Sequence, residues 1–132
     1  MKAAWYEKQG AARDVLIVGE MKLPDPLAGD VRLRVAFSGI NPGDVKKRQD
    51  SFGIGMPYPR VIPHSDGSGT VDAVGEGVSR EWIGRPVWCY GAQSYRPFGT
   101  AAENLGPRIF HSPHVTSDLV PAIEVARSWS RQ

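Results

Sequence analysis

The chain has one cysteine, no long hydrophobic run and little net charge, and each shortage excludes something. Cys89 alone cannot form an intrachain disulfide or a multi-cysteine zinc site. It sits between Trp88 and Tyr90 in an apolar run, where a thiol serves best as a small buried hydrophobe. No apolar stretch approaches the roughly 18 residues that a membrane span requires. The N-terminal Met1-Lys2-Ala3-Ala4-Trp5-Tyr6 has no long apolar segment of the kind that signals export, so the expected location is the cytoplasm and no membrane partner is expected. A net charge of +2 over 132 residues leaves no basic stripe long enough to track phosphates, so no nucleic-acid partner is expected either.

What the chain does have is glycine and proline, 15 and 11 residues respectively. They fall between short apolar runs, as turn punctuation does in a β-rich domain. Met1–Tyr6 reads as a first strand and Val15–Val18 as a second. Val31–Ser38 is the clearest strand, with Val31, Leu33, Val35 and Phe37 on one face by the period of two. Asp44–Gln49 fits a short helix, with Pro42 and an early acid at its start. Ser51–Pro63 reads as a loop. Gly67–Val74 and Pro86–Tyr90 are the next strands, and Phe98–Glu103 fits another. Ser117 can cap a helix from Asp118 to Ser128, with Pro121 in its first turn. The pattern predicts a mainly β chain with short helices, folded as a compact barrel or sandwich.

Several segments then occur in a fixed order: the strand Val31–Phe37; Gly39-Ile40-Asn41-Pro42-Gly43-Asp44 with Arg48; Pro63-His64-Ser65-Asp66-Gly67-Ser68-Gly69; and Gly84-Arg85-Pro86-Val87. In that order and spacing the chain resembles the medium-chain dehydrogenase/reductase superfamily, and more narrowly its zinc-independent NADPH:quinone oxidoreductases, the zeta-crystallin group. The resemblance covers roughly residues 1–103. It implies a GroES-like β-barrel, the alcohol dehydrogenase N-terminal domain, over residues 1–110. Residues 111–132 would then be a linker and helix leading towards a nucleotide-binding domain.

The same resemblance bears on metal. Zinc alcohol dehydrogenases take ligands from a Cys-x-x-Asp and a Gly-His-Glu segment. Here Asn41–Asp44 and His64-Ser65-Asp66 stand at those places, with Asn41 for the cysteine and Ser65 for the histidine. Neutral amide and hydroxyl oxygens are poor zinc ligands, so no zinc is expected. No Rossmann fingerprint, Gly-x-Gly-x-x-Gly between a strand and a helix, occurs in the 132 residues. Gly53-Ile54-Gly55 lies in a Pro-rich loop, and Gly67-Ser68-Gly69 precedes a strand. The Rossmann domain is therefore expected to be absent from this chain.

The implied activity is hydride transfer from NADPH to a quinone or an α,β-unsaturated carbonyl. Asn41 is the first candidate, catalytic and cofactor-binding, because an amide can both donate and accept; read without the family, Asn-Pro is a turn. Asp44 is a second catalytic candidate or a helix cap. Arg48 is a candidate cofactor contact, or else a solvated charge beside Lys46 and Lys47. Phe52 and Tyr58 are candidates for lining a flat substrate pocket, with ordinary loop packing as the alternative. A hydrolytic Ser65/Asp66/His64 set is disfavoured because adjacent residues do not converge as a triad does. His111 and His114 lack a third metal ligand. The alternative function is a non-catalytic GroES-like barrel, an interaction module whose exposed apolar face would favour a homo-oligomer.

Overall fold

A computed structural model describes residues 1–93 and 96–106 and, as backbone, the strand Leu119–Pro121. The strands β1 (Lys2–Trp5) and β2 (Ile17–Glu20) pair antiparallel as a two-stranded sheet. A single helical turn, α1 (Ala12–Val15), precedes β2. The sequence reading placed the strand at Val15–Val18. Val15 instead closes the turn with its side chain buried, and the extended backbone starts at Ile17.

The main sheet has five antiparallel strands in the order β6-β3-β4-β5-β7. They are β3 (Val31–Gly39), β4 (Asp66–Val74), β5 (Pro86–Cys89), β6 (Asn104–Leu105) and β7 (Leu119–Pro121). α2 (Pro42–Arg48) follows β3, and a 3-10 turn at Arg80–Trp82 leads to β5. Isolated backbone bridges at Ala3–Ala102, Tyr6–Val61 and Ile62–Phe98 link segments next to the two sheets. Phe98 and Ala102 thus make single bridges, and the strand expected at Phe98–Glu103 forms one step later. The helix expected from Asp118 is also corrected: Leu119–Pro121 pair with Val87–Cys89 as an outer strand. Proline is tolerated on such a strand because it lacks only a donor. The remainder of that expected helix, and His111 and His114, lie outside the described residues.

β3 and β4 carry the core, and their ladder is interrupted twice. Arg32 pairs with Ala73 but Leu33 pairs with Val71, so Asp72 is an extra residue on β4. Val35 pairs with Gly69 but Phe37 pairs with Ser68, so Ala36 is an extra residue on β3. Each bulge reverses the alternation on its own strand. The first puts Val71 and Val74 on one face, where they join Val31, Leu33, Val87, Cys89 and Leu105. The second turns Phe37 away from the face of Val35, leaving it 76% exposed, contrary to the strict period of two. It also turns the exposed Ser38 towards His64 and Thr100. Cys89 is buried in the core as expected.

β4 can lie this close to β3 because Gly69 has no Cβ, which would overlap the Arg34 carbonyl. The displaced Asp72 accepts hydrogen bonds from Arg32 Nε at 2.8 Å and from Asn104 Nδ2 at 3.1 Å. The bulge therefore costs no buried carboxylate without partners.

Candidate functional site

α2 starts where β3 ends. Asn41 is its N-cap and Pro42 its first residue, where the missing N–H costs nothing. The Asp44 carboxylate reaches back and accepts from the Asn41 backbone N–H at 2.8 Å, so Asp44 acts as a buried cap. Lys46, Lys47 and Arg48 crowd the last turn, where the helix dipole favours cations. Arg48 is not the solvated charge that its lysine neighbours suggest. It is buried, its guanidinium donates to the Gly10 carbonyl, and Gly10 N–H donates back to the Arg48 carbonyl at 2.9 Å. Its role in the fold is to fasten α2 to the loop after β1.

Beside the start of α2 lies a chain of polar contacts. Asn41 Nδ2 donates to Asp66 Oδ2 at 2.6 Å. The Asp66 carbonyl accepts from Thr100 Oγ1 at 2.7 Å. Thr100 Oγ1 bonds Ser38 Oγ at 2.8 Å, and Ser38 Oγ bonds His64 Nδ1 at 2.7 Å. Thr100 is fully buried, whereas Asn41 and Ser38 reach the surface. The Ala36 bulge makes this possible, because an unbroken β3 would point Ser38 the other way.

His64 has φ of +75°, the left-handed region that a residue with a Cβ rarely adopts. By resemblance it occupies the glycine place of a Gly-His-Glu segment, and the backbone shows why glycine suits that place. Gly99 packs against the carbonyls of residues 62–64, and a Cβ there would overlap the His64 carbonyl. Burial holds the His64 imidazole below its usual basicity, and the nearby Asp44 carboxylate offsets part of that shift.

At the other end of α2 is a pocket of about 430 Å³. Tyr6, Phe52, Ile54 and Tyr58 form its apolar wall, with Lys47 and Gln93 among its polar groups. Burial raises the Tyr6 hydroxyl, while Arg48 opposes that shift, Asp44 adds to it and a hydrogen bond with Gln93 lowers it. Tyr6 is therefore a neutral hydroxyl at neutral pH. Phe52 and Tyr58 are thus brought together on one pocket wall. Asn41, Asp44 and Arg48 do not line the pocket. A seven-residue helix is about 10 Å long, which sets the separation of Asn41 from the pocket wall. A larger cavity of about 520 Å³, walled by Met21, Leu27, Ile62 and Phe98, contains none of the candidate residues.

Residues 27–107 match the sequence pattern of the alcohol dehydrogenase GroES-like domain. The chain belongs to that family. The GroES-like domain is 39% identical over 89 residues to the starvation-sensing protein RspB of Escherichia coli (strain K12), covering 66% of this chain and 24% of the relative. It is 28% identical over 108 residues to a quinone oxidoreductase of Rattus norvegicus, covering 79% and 32% respectively. Among solved structures it superposes with TM-score 0.71 and 30% identity on a protein assigned as an NADPH:quinone reductase from Bacillus thuringiensis, covering 91% of this chain and 32% of that one. The domain therefore spans about a quarter to a third of the length of these relatives. The quinone oxidoreductases among them bear out the medium-chain dehydrogenase/reductase resemblance.

Sequence reading missed Ser38 and Thr100 as site residues, because neither stands in a motif and a bulge brings them together. It weighed His64 only with Ser65 and Asp66, whereas His64 pairs with Ser38. The available signal was a histidine standing where the resembling segment has glycine. No group of three metal-ligating side chains converges among the described residues, and no helix among them is long and apolar enough to cross a membrane.

Proposed function

We propose that this GroES-like domain is the substrate-side domain of an NADPH-dependent quinone or enone oxidoreductase. The observation that carries the reading is the aromatic-walled pocket of about 430 Å³ against α2, in a chain whose relatives include quinone oxidoreductases. A flat ring gains most from flat apolar walls, which Phe52 and Tyr58 supply, while the neutral Tyr6 hydroxyl offers a donor that needs no counter-charge.

The chain's own groups fit the nicotinamide end of the cofactor. Asn41 has one Nδ2 hydrogen held by Asp66, which fixes the amide plane. Its second N–H and its Oδ1 complement a carboxamide or a substrate carbonyl. When bound, NADPH supplies the hydride. Asn41 lies at the far end of α2 from the pocket, so it meets the reacting carbonyl of a substrate that spans about 10 Å, its apolar part on Phe52 and Tyr58; there it donates to the oxygen on which negative charge develops, and Asp44 positions Asn41 through its backbone N–H. Arg48 holds α2 in place and reaches the cofactor only through that helix. Residues 1–110 form this domain in the reading, and residues 111–132 lead towards a nucleotide-binding domain.

The test is quinone-dependent oxidation of NADPH by the product of the full reading frame. Asn41→Ala should lower kcat about a hundredfold, the loss typical of one oxyanion donor. Unchanged turnover would remove Asn41 from the chemistry. In the present chain, tetramethylquinone should quench aromatic fluorescence in a saturable way, and Tyr58→Ala should abolish that saturation.

A second reading rests on Phe37 and Ile40, which flank the start of α2 and are 76% and 69% exposed. A face of this kind suits association with another protein surface. Sedimentation across a range of chain concentrations tests it: a mass that rises with concentration supports self-association, and a constant monomer mass removes it.

A further inference from the structure

The polar chain beside α2 fixes the protons on its own members. A backbone carbonyl can only accept, so Thr100 must donate its single hydroxyl hydrogen to the Asp66 carbonyl. Thr100 Oγ1 can then only accept from Ser38, which uses the single hydrogen of Ser38. Ser38 Oγ must in turn accept from His64, so Nδ1 carries a hydrogen. Burial keeps the ring neutral at neutral pH, which leaves Nε2 as a bare lone pair. Nε2 makes no hydrogen bond to the described residues and is not among their buried polar atoms without a partner. It is an acceptor open to a ligand. The direction of the protons also excludes a nucleophilic serine, because His64 donates to Ser38 and cannot take its proton.

We infer that His64 Nε2 is a further binding group, an acceptor for the hydroxyl of a hydroquinone. The inference rests on the quinone-reductase reading of the same domain. A quinone carries only acceptors, whereas its two-electron reduced form carries O–H donors. A ring nitrogen locked as an acceptor therefore contacts the reduced form and gives the oxidised form nothing. Ser38 and Thr100 act as positioning residues by holding the tautomer. The left-handed backbone at His64, braced by Gly99, directs the ring towards Ser38. Non-glycine residues persist in that conformation only where the surroundings determine it.

The experiment is nitrogen-15 NMR of the whole chain with labelled histidine, at neutral pH and without oxygen. The chain has three histidines, so His64→Asn, which tolerates the left-handed backbone, identifies the His64 signals by their loss. The free protein should show His64 protonated at Nδ1, and Ser38→Ala should shift the ring towards the other tautomer. Tetramethylhydroquinone should move the Nε2 resonance saturably, whereas its dimethyl ether and tetramethylquinone should not. A hydrogen on Nε2 in the free protein overturns the inference, and so does an equal response to the dimethyl ether. If tetramethylquinone perturbs Tyr58 while the hydroquinone leaves Nε2 unmoved, the inference falls and the pocket reading stands. If Nε2 responds and Tyr58 does not, the inference stands and the pocket reading falls.

Discussion

The two bulges of the β3–β4 ladder are alike in form and opposite in effect. The extra residue on β4, Asp72, lets Val71 and Val74 share the core face, and its carboxylate is satisfied by Arg32 and Asn104. The extra residue on β3, Ala36, turns the apolar Phe37 into solvent and aims the exposed Ser38 at His64 and Thr100. One irregularity completes hydrophobic packing. The other gives up a Phe side chain's burial to build a polar cluster. Since the bulges lie on opposite strands, each compensates the other in register, and both strands keep nine residues. An irregularity that adds core serves stability. One that exposes an aromatic residue and joins hydroxyls to a histidine marks a place where the fold serves something else.

The largest test of this contrast is in the core. Leu33 is fully buried among Val31, Val71 and Leu105. Leu33→Ala should cost about 3 kcal/mol, the usual range for such a deletion, read from denaturant midpoints at constant m. A loss below about 1 kcal/mol would mean the core face is not where the first bulge puts it.

Next comes the brace of the polar cluster. Gly99→Ala adds a methyl group against the His64 carbonyl and should cost about 2 kcal/mol through backbone displacement. The His64 NMR signals should shift with it, because the same backbone carries the ring. Loss of stability with His64 signals unmoved would separate the brace from the cluster.

Ser38→Ala should cost less, about 1 kcal/mol, since it removes hydrogen bonds at an exposed residue while Thr100 keeps its bond to the Asp66 carbonyl. Phe37→Ser should cost close to nothing, because Phe37 is already in solvent. If Phe37→Ser proved as costly as Leu33→Ala, Phe37 would be packed and the second bulge absent.

The smallest effect is in pH. The folded state lowers the His64 pKa, so below the ordinary histidine value of about 6.5 the unfolded chain takes up a proton that the folded chain resists. The stability associated with the neutral ring is complete above that pH and declines as pH falls from there towards the folded-state pKa. Melting curves of the chain and of His64→Asn between pH 5 and pH 8 should therefore converge at the acid end. A parallel pair of curves would show that His64 titrates alike in both states.

Much of the sheet was legible before any coordinates. The Val31–Val35 alternation, the turn glycines and the apolar runs around Val71 and Val87 have local causes, in side-chain period and backbone freedom. The helix over 42–48 was legible from Pro42 and Asp44 for the same reason. The grouping of the candidate residues was legible only within a segment: Asn41 with Asp44 at one helix start, and Phe52 with Tyr58 on one loop. The burial of Arg48 was not legible, because its partner, the Gly10 carbonyl, is 38 residues away. The strand at Leu119–Pro121 was misread because a helix cap and an apolar period are local signals, whereas pairing with β5 is not.

The sequence by itself determined a mainly β chain, its principal strands and the family order of segments, because these follow from short-range sterics and hydrophobic periodicity. Only the tertiary structure decided which way Phe37 and Ser38 point, that Arg48 is buried, and that His64 meets Ser38 and Thr100. Each of those depends on the register between strands far apart in the chain, and a one-residue bulge reverses it without any mark in the local pattern.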